Sequence, residues 1–400
     1  MKKILVIGAG FLQSFLIKRA KEIGYYTIAI DKKPNSIGFK YSDESEVIDI
    51  IDQKACLEYA LHHEVDGVIT AATDYGVLTA AYIAKKMKLP GLDYESAKII
   101  KNKYMVRSLL YEKRVDDVSQ YYEVKNLSTI NEIINKIKFP VMVKPSDGSG
   151  SKAVKKVESM TTLYETSKRA IKHSLIGKAL IEDFICGKEY GVESFVYNGK
   201  VYVLGVIDKN MTPPPIHAEL GHSMPSQLSP ENQDKVEEVI KKAIKALGIN
   251  FGAVNMDVLI TKDNRVNIID VGARMGGNLI GSHVIPIGLN FDYLGVLAKT
   301  AVGDPIELKI QASNKVIVTK LLSLTPGTVE ELPNFAKIKE KCKVEIHSHL
   351  KIGDTIKEYK NNLDGWGYVI AVTDNHKDAH KKTDKALKMI DEKIIRKQEV

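Results

Sequence analysis

The 400 residues include one tryptophan and three cysteines. Cys56, Cys186 and Cys342 stand far apart, without CxxC or histidine spacing. That excludes a disulfide-stapled scaffold and a zinc module, and it implies a reducing compartment. Long apolar runs are also missing, so no stretch matches the roughly 20 residues of a membrane-crossing helix. The N-terminal ILVIGAGF is followed by Lys18 and Arg19 and by no small-residue cleavage site, unlike a secretory signal. A cytoplasmic protein is the expectation. Basic runs with interleaved aromatics are absent too. The net charge of +8 comes from lysines alternating with acids, and clusters such as Lys85-Lys86 and Lys381-Lys382 are short. This predicts a solvated lysine-rich surface rather than a nucleic-acid-binding face. Repeats and low-complexity segments are absent as well. What remains is an ordinary globular composition, 44% hydrophobic and 27% charged, with enough chain for two or three domains.

Residues 3 to 93 alternate. Lys3–Gly8, Tyr26–Ile30 and Asp66–Thr70 read as strands, and Phe11–Ile23, Ala55–His63 and Thr79–Met87 as helices. The alternation predicts a parallel, doubly wound α/β sheet. Gly8-Ala9-Gly10 after the first strand and Asp31 after the second invite a dinucleotide reading. However, Gln13 stands where the third glycine of that fingerprint belongs, and no acid–base pair for hydride transfer is evident. The same loop, or the Thr73-Asp74 turn, is an alternative place for a small substrate.

Tyr94–Tyr111 reads as one continuous helix with Lys103 and Arg107 on one face, Arg107 in solvent. Strands at Tyr121–Lys125 and Phe139–Lys144 flank a helix over Leu127–Lys136, and a helix over Leu163–Ser174 precedes a strand at Ala179–Phe184. After Lys144 the periodicity vanishes. Asp147-Gly148-Ser149-Gly150-Ser151 offers free backbone N–H groups and two hydroxyls, the composition of a phosphate cradle, with Lys144 at its root as a point charge. A plain hairpin turn is the competing reading. Asn198-Gly199 predicts a hairpin of Tyr190–Tyr197 with Lys200–Lys209. The stretch from Thr212 to Ser229, with Pro213 to Pro215, His217, Glu219, His222 and Ser226, reads as loop, and Glu231–Leu247 as an amphipathic helix. A second hairpin pairs Ala253–Ile260 with Arg265–Val271 and places Asp257 and Asp270 inside apolar strands. Buried acids are costly without a cation. Facing the same way, these two would converge on magnesium beside a phosphate chain; the alternative is two unrelated surface acids. Beyond about residue 305, strands at Val316–Leu322, Val344–His347 and Gly367–Val372 and a charged helix at Lys377–Ile395 carry no evident catalytic cluster and predict a cap.

The order of these parts resembles the ATP-grasp enzymes over nearly the whole chain. Similar layouts occur in phosphoribosylglycinamide synthetase, carboxyaminoimidazole ribonucleotide synthetase, biotin carboxylase, the large subunit of carbamoyl-phosphate synthetase and L-amino acid ligases. The resemblance implies an α/β chain of three parts. These are a Rossmann-like pre-ATP-grasp domain (1–93), an ATP-grasp domain (94–305) and a C-terminal β-rich capping domain (306–400). The ATP-grasp domain would combine a small α+β lid at about 118–186 with a central antiparallel sheet. ATP and magnesium are implied, with two ions expected and manganese an alternative.

By the same resemblance, Lys103 and Lys144 contact the ATP phosphates, and Gly148, Ser149, Gly150 and Ser151 fold over them. Glu182 takes the adenine amino group, the backbone near Phe184 and Ile185 pairs with the base edge, and Glu189 holds the ribose hydroxyls. His222 falls near the phosphates or substrate. Asp257 and Asp270 ligate the metal, and Arg274 and Lys144 are the catalytic residues, Arg274 steadying the carboxylate and its acyl phosphate. The family commonly has Glu-x-Asn-x-Arg where this chain reads Asp270-Val271-Gly272-Ala273-Arg274. That implies one metal ligand fewer, and keeps open a nucleotide-binding protein without catalysis. The implied activity joins a small-molecule carboxylate to an amine through an acyl phosphate, as in a phosphoribosylglycinamide synthetase of purine synthesis. An L-amino acid ligase or a carbamoyl-phosphate synthetase-like enzyme is the alternative. A homodimer fits the relatives, and neither nucleic acid nor membrane is an expected partner.

Overall fold

The computed structural model describes residues 1–213, 216 and 218–397. Its first four strands are parallel, in the order Glu44–Val47, Tyr26–Asp31, Lys3–Ile7 and Gly67–Thr70. Helices cover both faces, which is why Lys3–Ile7 is almost continuously apolar. Leu16, Ile17 and Ala20 pack with Ile4 and Val6, while Cys56, Ala60 and Ile83 pack with Leu5 and Ile7. Glu44–Val47 was not expected. Its sequence ESEV has no apolar face, and backbone pairing alone reveals it at the sheet edge. The first loop closes on itself: the Ala9 N–H donates to Asp31 at 2.9 Å, and Gln13 donates to the Ala71 carbonyl.

Tyr94–Tyr111 is not one helix. Tyr94–Ile100 and Lys103–Glu112 are separate, because extended Asn102 accepts from the N–H groups of Tyr104 and Met105 and starts a new helix. The break brings Lys103 to the phosphate-cradle segment, where its N–H donates to the Ser146 carbonyl at 2.7 Å. The lid is a four-stranded sheet in the order Tyr121–Val124, Ala179–Asp183, Val141–Pro145, Lys155–Val157, with its own core around Val143, Leu163 and Ile181.

The central sheet has eight strands, each antiparallel to its neighbours. They run Val266–Gly272, Gly252–Thr261, Gly187–Tyr197, Lys200–Met211, Glu219–Met224, Val316–Leu321, Gly367–Thr373 and Glu345–Ser348. Glu219–Met224 corrects the loop expected up to Ser229. Its buried His222 and Ser223 pair on both sides, and their polarity hid the strand. Pro214, Pro215 and His217 of the same stretch lie outside the described residues. Val316–Leu321 joins this strand, so the C-terminal region extends the sheet as well as capping it. Helices Ile285–Leu289, Tyr293–Ala301 and Phe335–Cys342 were also not foreseen. Among the described residues no helix is long and apolar enough to cross a membrane.

One face of the sheet is apolar. Helix Pro230–Ala246, capped by Ser229 with Pro230 in its first turn, turns Val236, Ile240, Ala243 and Ile244 onto Val192, Val254, Val258 and Ile268. Alternation then leaves Glu189, Glu193, Asn255 and Asp257 on the opposite face. Asp270 lies two residues beyond Ile268, so strict alternation would turn it toward the helix. The register slips there: Ile268 pairs with Val258, but Asp270 pairs with Asp257. The extra residue, Ile269, turns Asp270 onto the face of Asp257.

The first domain and the C-terminal region meet at His283 and His347, whose ring centroids are 4.6 Å apart with Phe15 edge-on to both. Burial, aided by His347, lowers the His283 imidazole from 6.5 to about 4. Between those values the unfolded chain binds a proton there and the folded chain does not, so stability falls as pH drops from 6.5 toward 4. His283→Gln should therefore lose less Tm over that window than the wild type. Parallel Tm–pH curves would show that this imidazole is not the group responsible.

Candidate active site

A cleft of about 490 Å³ opens between the lid and the polar face of the central sheet. Lys103, Lys144, Gly148, Ser149, Gly150, Ser151, Glu182, Phe184, Ile185, Glu189, Asp257 and Asp270 all line it. His222 and Arg274 do not. Met142, Val154, Leu259 and Ile269 add apolar wall, of the kind a planar base packs against.

Lys144 rises from the lid floor, its Nζ 2.5 Å from Glu182 and 2.9 Å from the Ile269 carbonyl. Glu182 gives its second oxygen to Arg107 Nε at 2.8 Å, so both oxygens are engaged by cations. Arg107 is the clearest departure from expectation. It is 3% exposed, and also donates to Asp116 at 2.6 Å and to the Ile268 carbonyl. Helical spacing cannot tell a solvated charge from one enclosed by acids on other elements. Burial pushes Glu182 up, but Lys144 and Arg107 outweigh it and hold the carboxylate below its ordinary value.

Lys103, in the first turn of its helix, pairs with Asp270. Lys209 is 6% exposed, and its Nζ lies 2.5 Å from Glu189, 2.8 Å from Glu219 and 2.9 Å from Asp257. Burial, then the neighbouring acids, push Asp257 up to about 7 against the pull of Lys209. Oxygens of Glu189, Glu219 and Asp257 lie within 4.8 Å of one another, close enough to share one metal ion. With Asp270 facing Asp257, these are hard oxygen donors that fit magnesium. His222 is buried in its strand, Nε2 3.4 Å from Glu219, rather than in a loop.

Arg274 lies beyond Lys103. Its Nε is 2.9 Å from Asp74 Oδ1 and its Nη2 3.1 Å from Oδ2. Asp74 belongs to the turn that was an alternative small-substrate site. Burial raises this carboxyl, but Arg274 outweighs it and holds the group at about 2. Ser149 Oγ also donates to Asp74, at 2.8 Å, tying the glycine-rich loop to the pair. Gly272 explains itself here. A Cβ at 272 would stand 2.8 Å from both Asp74 Oδ1 and Arg274 Cζ. The missing side chain is therefore space for an ion pair that reaches across from the first domain.

Three participants escaped the reading of the sequence: Lys209, Glu193 and the Asp74–Arg274 pairing. The rule that selected Asp257, a charge inside an apolar strand, also selects Glu193 in YGVESFVY and Lys209 in VLGVIDK. Nothing local signals the third.

Two outcomes follow. Arg107→Ala should destabilise the fold by about 3–5 kcal/mol in chemical denaturation, because Glu182 and Asp116 are left enclosed without a cation; a loss under 1 kcal/mol would contradict the burial. Gly272→Asn should lower Tm and leave magnesium-ATP affinity no better, because the added side chain meets both Asp74 and Arg274. Tighter magnesium-ATP binding by Gly272→Asn alone would mean that position 272 is a vacant ligand site after all.

Residues 137–282 match the family model of the ATP-grasp domain, and residues 320–393 match L-amino acid ligase C-terminal domain 2. Phosphoribosylglycinamide synthetase from Anaerococcus prevotii superposes with a TM-score of 0.79 at 27% identity, over 99% of this chain and 100% of that one. L-amino acid ligase from Bacillus licheniformis superposes with a TM-score of 0.84 at 20% identity, over 100% and 99%. Formate-dependent phosphoribosylglycinamide formyltransferase of Bacteroides fragilis is 22% identical over 412 residues, covering 98% of this chain and 99% of its own. The glycine-rich loop, Glu182 and the facing aspartates all fall inside the first matched segment, and the chain carries an ATP-grasp domain followed by a segment similar to the C-terminal domain of L-amino acid ligases.

Proposed function

We propose that the chain uses ATP to join a carboxylate to an amine, and that an α-amino acid supplies the carboxylate. The observation that carries this reading is the continuity of the site. The cleft ends at the Lys103–Asp270 pair, and Asp74 and Arg274 begin directly beyond it. A guanidinium beside a carboxylate suits a zwitterion, its carboxylate on Arg274 and its ammonium on Asp74.

The chemistry follows. A carboxylate is a poor electrophile because oxide is a bad leaving group. Its oxygen attacks the terminal phosphorus of ATP, the bond to ADP breaks, and ADP leaves with the electron pair. The amine then attacks the acyl phosphate carbon, inorganic phosphate departs with the C–O pair, and the amine gives up a proton. The protein's part is alignment and charge. Lys103 and Lys144 neutralise the phosphates, and Arg274 holds the acyl oxygen in line. Gly148 to Ser151, released from Asp74, close over the phosphates and exclude water that would hydrolyse the intermediate. Magnesium, held by Asp257 and Asp270 with Glu189 and Glu219 in reach, would add positive charge at the phosphates.

Two pairs of substrates fit. Glycine with phosphoribosylamine is favoured by the 27% identity to a phosphoribosylglycinamide synthetase. Two amino acids are favoured by the matched C-terminal domain. Both begin with an amino acid carboxylate, and they differ in the amine.

ADP release from magnesium-ATP across a matrix of amino acids and amines decides between them. ADP should form only when one carboxylate and one amine are both present. ATP binding without release for any pair would overturn the ligase reading. Asp270→Asn should keep its circular dichroism spectrum and lose turnover about a hundredfold or more. Wild-type turnover by this variant at saturating magnesium would remove Asp270 from the metal site.

A further inference from the structure

One acid on the polar face of the sheet takes no part in those steps. Glu193 sits in the middle of Gly187–Tyr197. Asn255 pairs with it on the next strand, and Gly272 pairs with Asn255 on the strand after. The row therefore leads to the space that Asp74 and Arg274 share. Glu193 is wholly enclosed, and among the described residues no cation forms an ion pair with it. Its donors are neutral: Tyr293 Oη at 2.8 Å, Asn255 Nδ2 at 3.0 Å and the Gly276 N–H at 3.0 Å. An enclosed carboxylate without an ion-pair partner is costly, and burial pushes this one up to about 7 against the pull of its donors and of the nearby Arg274 charge. A glutamine would fill the same space without that cost.

Two of the three donors bear on Arg274. Gly276 lies two residues after it, and a Cβ there would stand 2.9 Å from Glu193 Oε2, so only glycine lets this amide reach the carboxylate. Asn255 is the more informative contact. An ionised carboxylate only accepts, so it draws the NH2 end of the Asn255 amide toward itself. The Asn255 oxygen is then left facing Arg274 Nη1, at 3.5 Å. Tyr293, from its own helix, holds the carboxylate from behind.

We propose that Glu193 is a positioning residue for Arg274: it orients the Asn255 oxygen toward the guanidinium and pins the loop just past it, so that Arg274 meets the substrate carboxylate from one fixed direction. The role rests on the reading that Arg274 holds that carboxylate.

Glu193→Gln is the test, because it keeps the shape and removes the charge that orders the Asn255 amide. With glycine and other amino acids as the carboxylate, KM for that substrate should rise about tenfold and kcat should fall, while KM for ATP stays at the wild-type value. Asn255→Ala, which leaves the buried acid in place, should show the same carboxylate-specific rise. Adding it to Glu193→Gln should cost little more, since both break one relay. A second readout needs no turnover: the rate at which phenylglyoxal modifies Arg274, followed by peptide mass spectrometry, should increase several-fold in Glu193→Gln. If the wild type releases no ADP with any pair, the ligase reading falls and the labelling rate still decides the role of Glu193. An active Glu193→Gln with wild-type carboxylate KM and wild-type labelling would overturn the inference and leave the ligase reading intact. Equal rises in both KM values, with a lowered Tm, would reduce Glu193 to a structural residue and overturn it too.

Discussion

An acid enclosed by protein needs a cation, and this site is assembled from answers to that demand. Lys103 meets Asp270, Lys209 meets Glu189, Glu219 and Asp257, Lys144 and Arg107 share Glu182, and Arg274 meets Asp74. Leaving the enclosed charge of Arg107, Glu182 or Lys209 unpaired would cost several kcal/mol. Most of the partners come from different parts of the chain, so neutralising the acids also docks the lid and the first domain on the central sheet. Glu193 is instead met by neutral donors, and it lies one strand from Asn255 and two from the arginine loop.

The same pairs define what binding must do. On the proposed reading, a polyphosphate that draws Lys103 and Lys144 onto itself would free Asp270 and one oxygen of Glu182, whose other oxygen stays with Arg107, and a divalent ion would take up the negative charge left behind. On the same reading a zwitterion entering between Arg274 and Asp74 would free Ser149, which the pair holds by way of Asp74. On that reading phosphate, metal and amino acid would be linked by exchange of partners rather than by separate pockets. The glycine-rich loop stands at the junction, touching the cleft on one side and Asp74 on the other.

Gly272 shows how one residue acquires meaning from another far away in sequence. Set beside the asparagine usual in ATP-grasp enzymes, it looks like a lost ligand. Set beside Asp74, it is the gap that lets an acid of the first domain reach Arg274. A side chain at 272 and the Asp74–Arg274 pair exclude each other sterically, so the two features belong together.

Local periodicity and turn chemistry were enough for much of this protein. The parallel first sheet, the hairpin at Asn198-Gly199, the structureless Gly148–Ser151 loop and the acids inside apolar strands could all be read from neighbours a few residues apart. Lys144 at the root of that loop could be read in the same way, whereas Glu182, Phe184, Ile185 and Glu189 were tied to the cleft only by the resemblance to ATP-grasp enzymes. Arg107 could not, because its two acids lie on other elements. Glu219–Met224 could not, because a strand lined with buried polar groups has no apolar period. The facing of Asp270 toward Asp257 was decided by one bulged residue, Ile269. Alternation counted along the sequence would have turned that carboxylate to the wrong face, and a bulge belongs to the pairing of two strands rather than to either one alone.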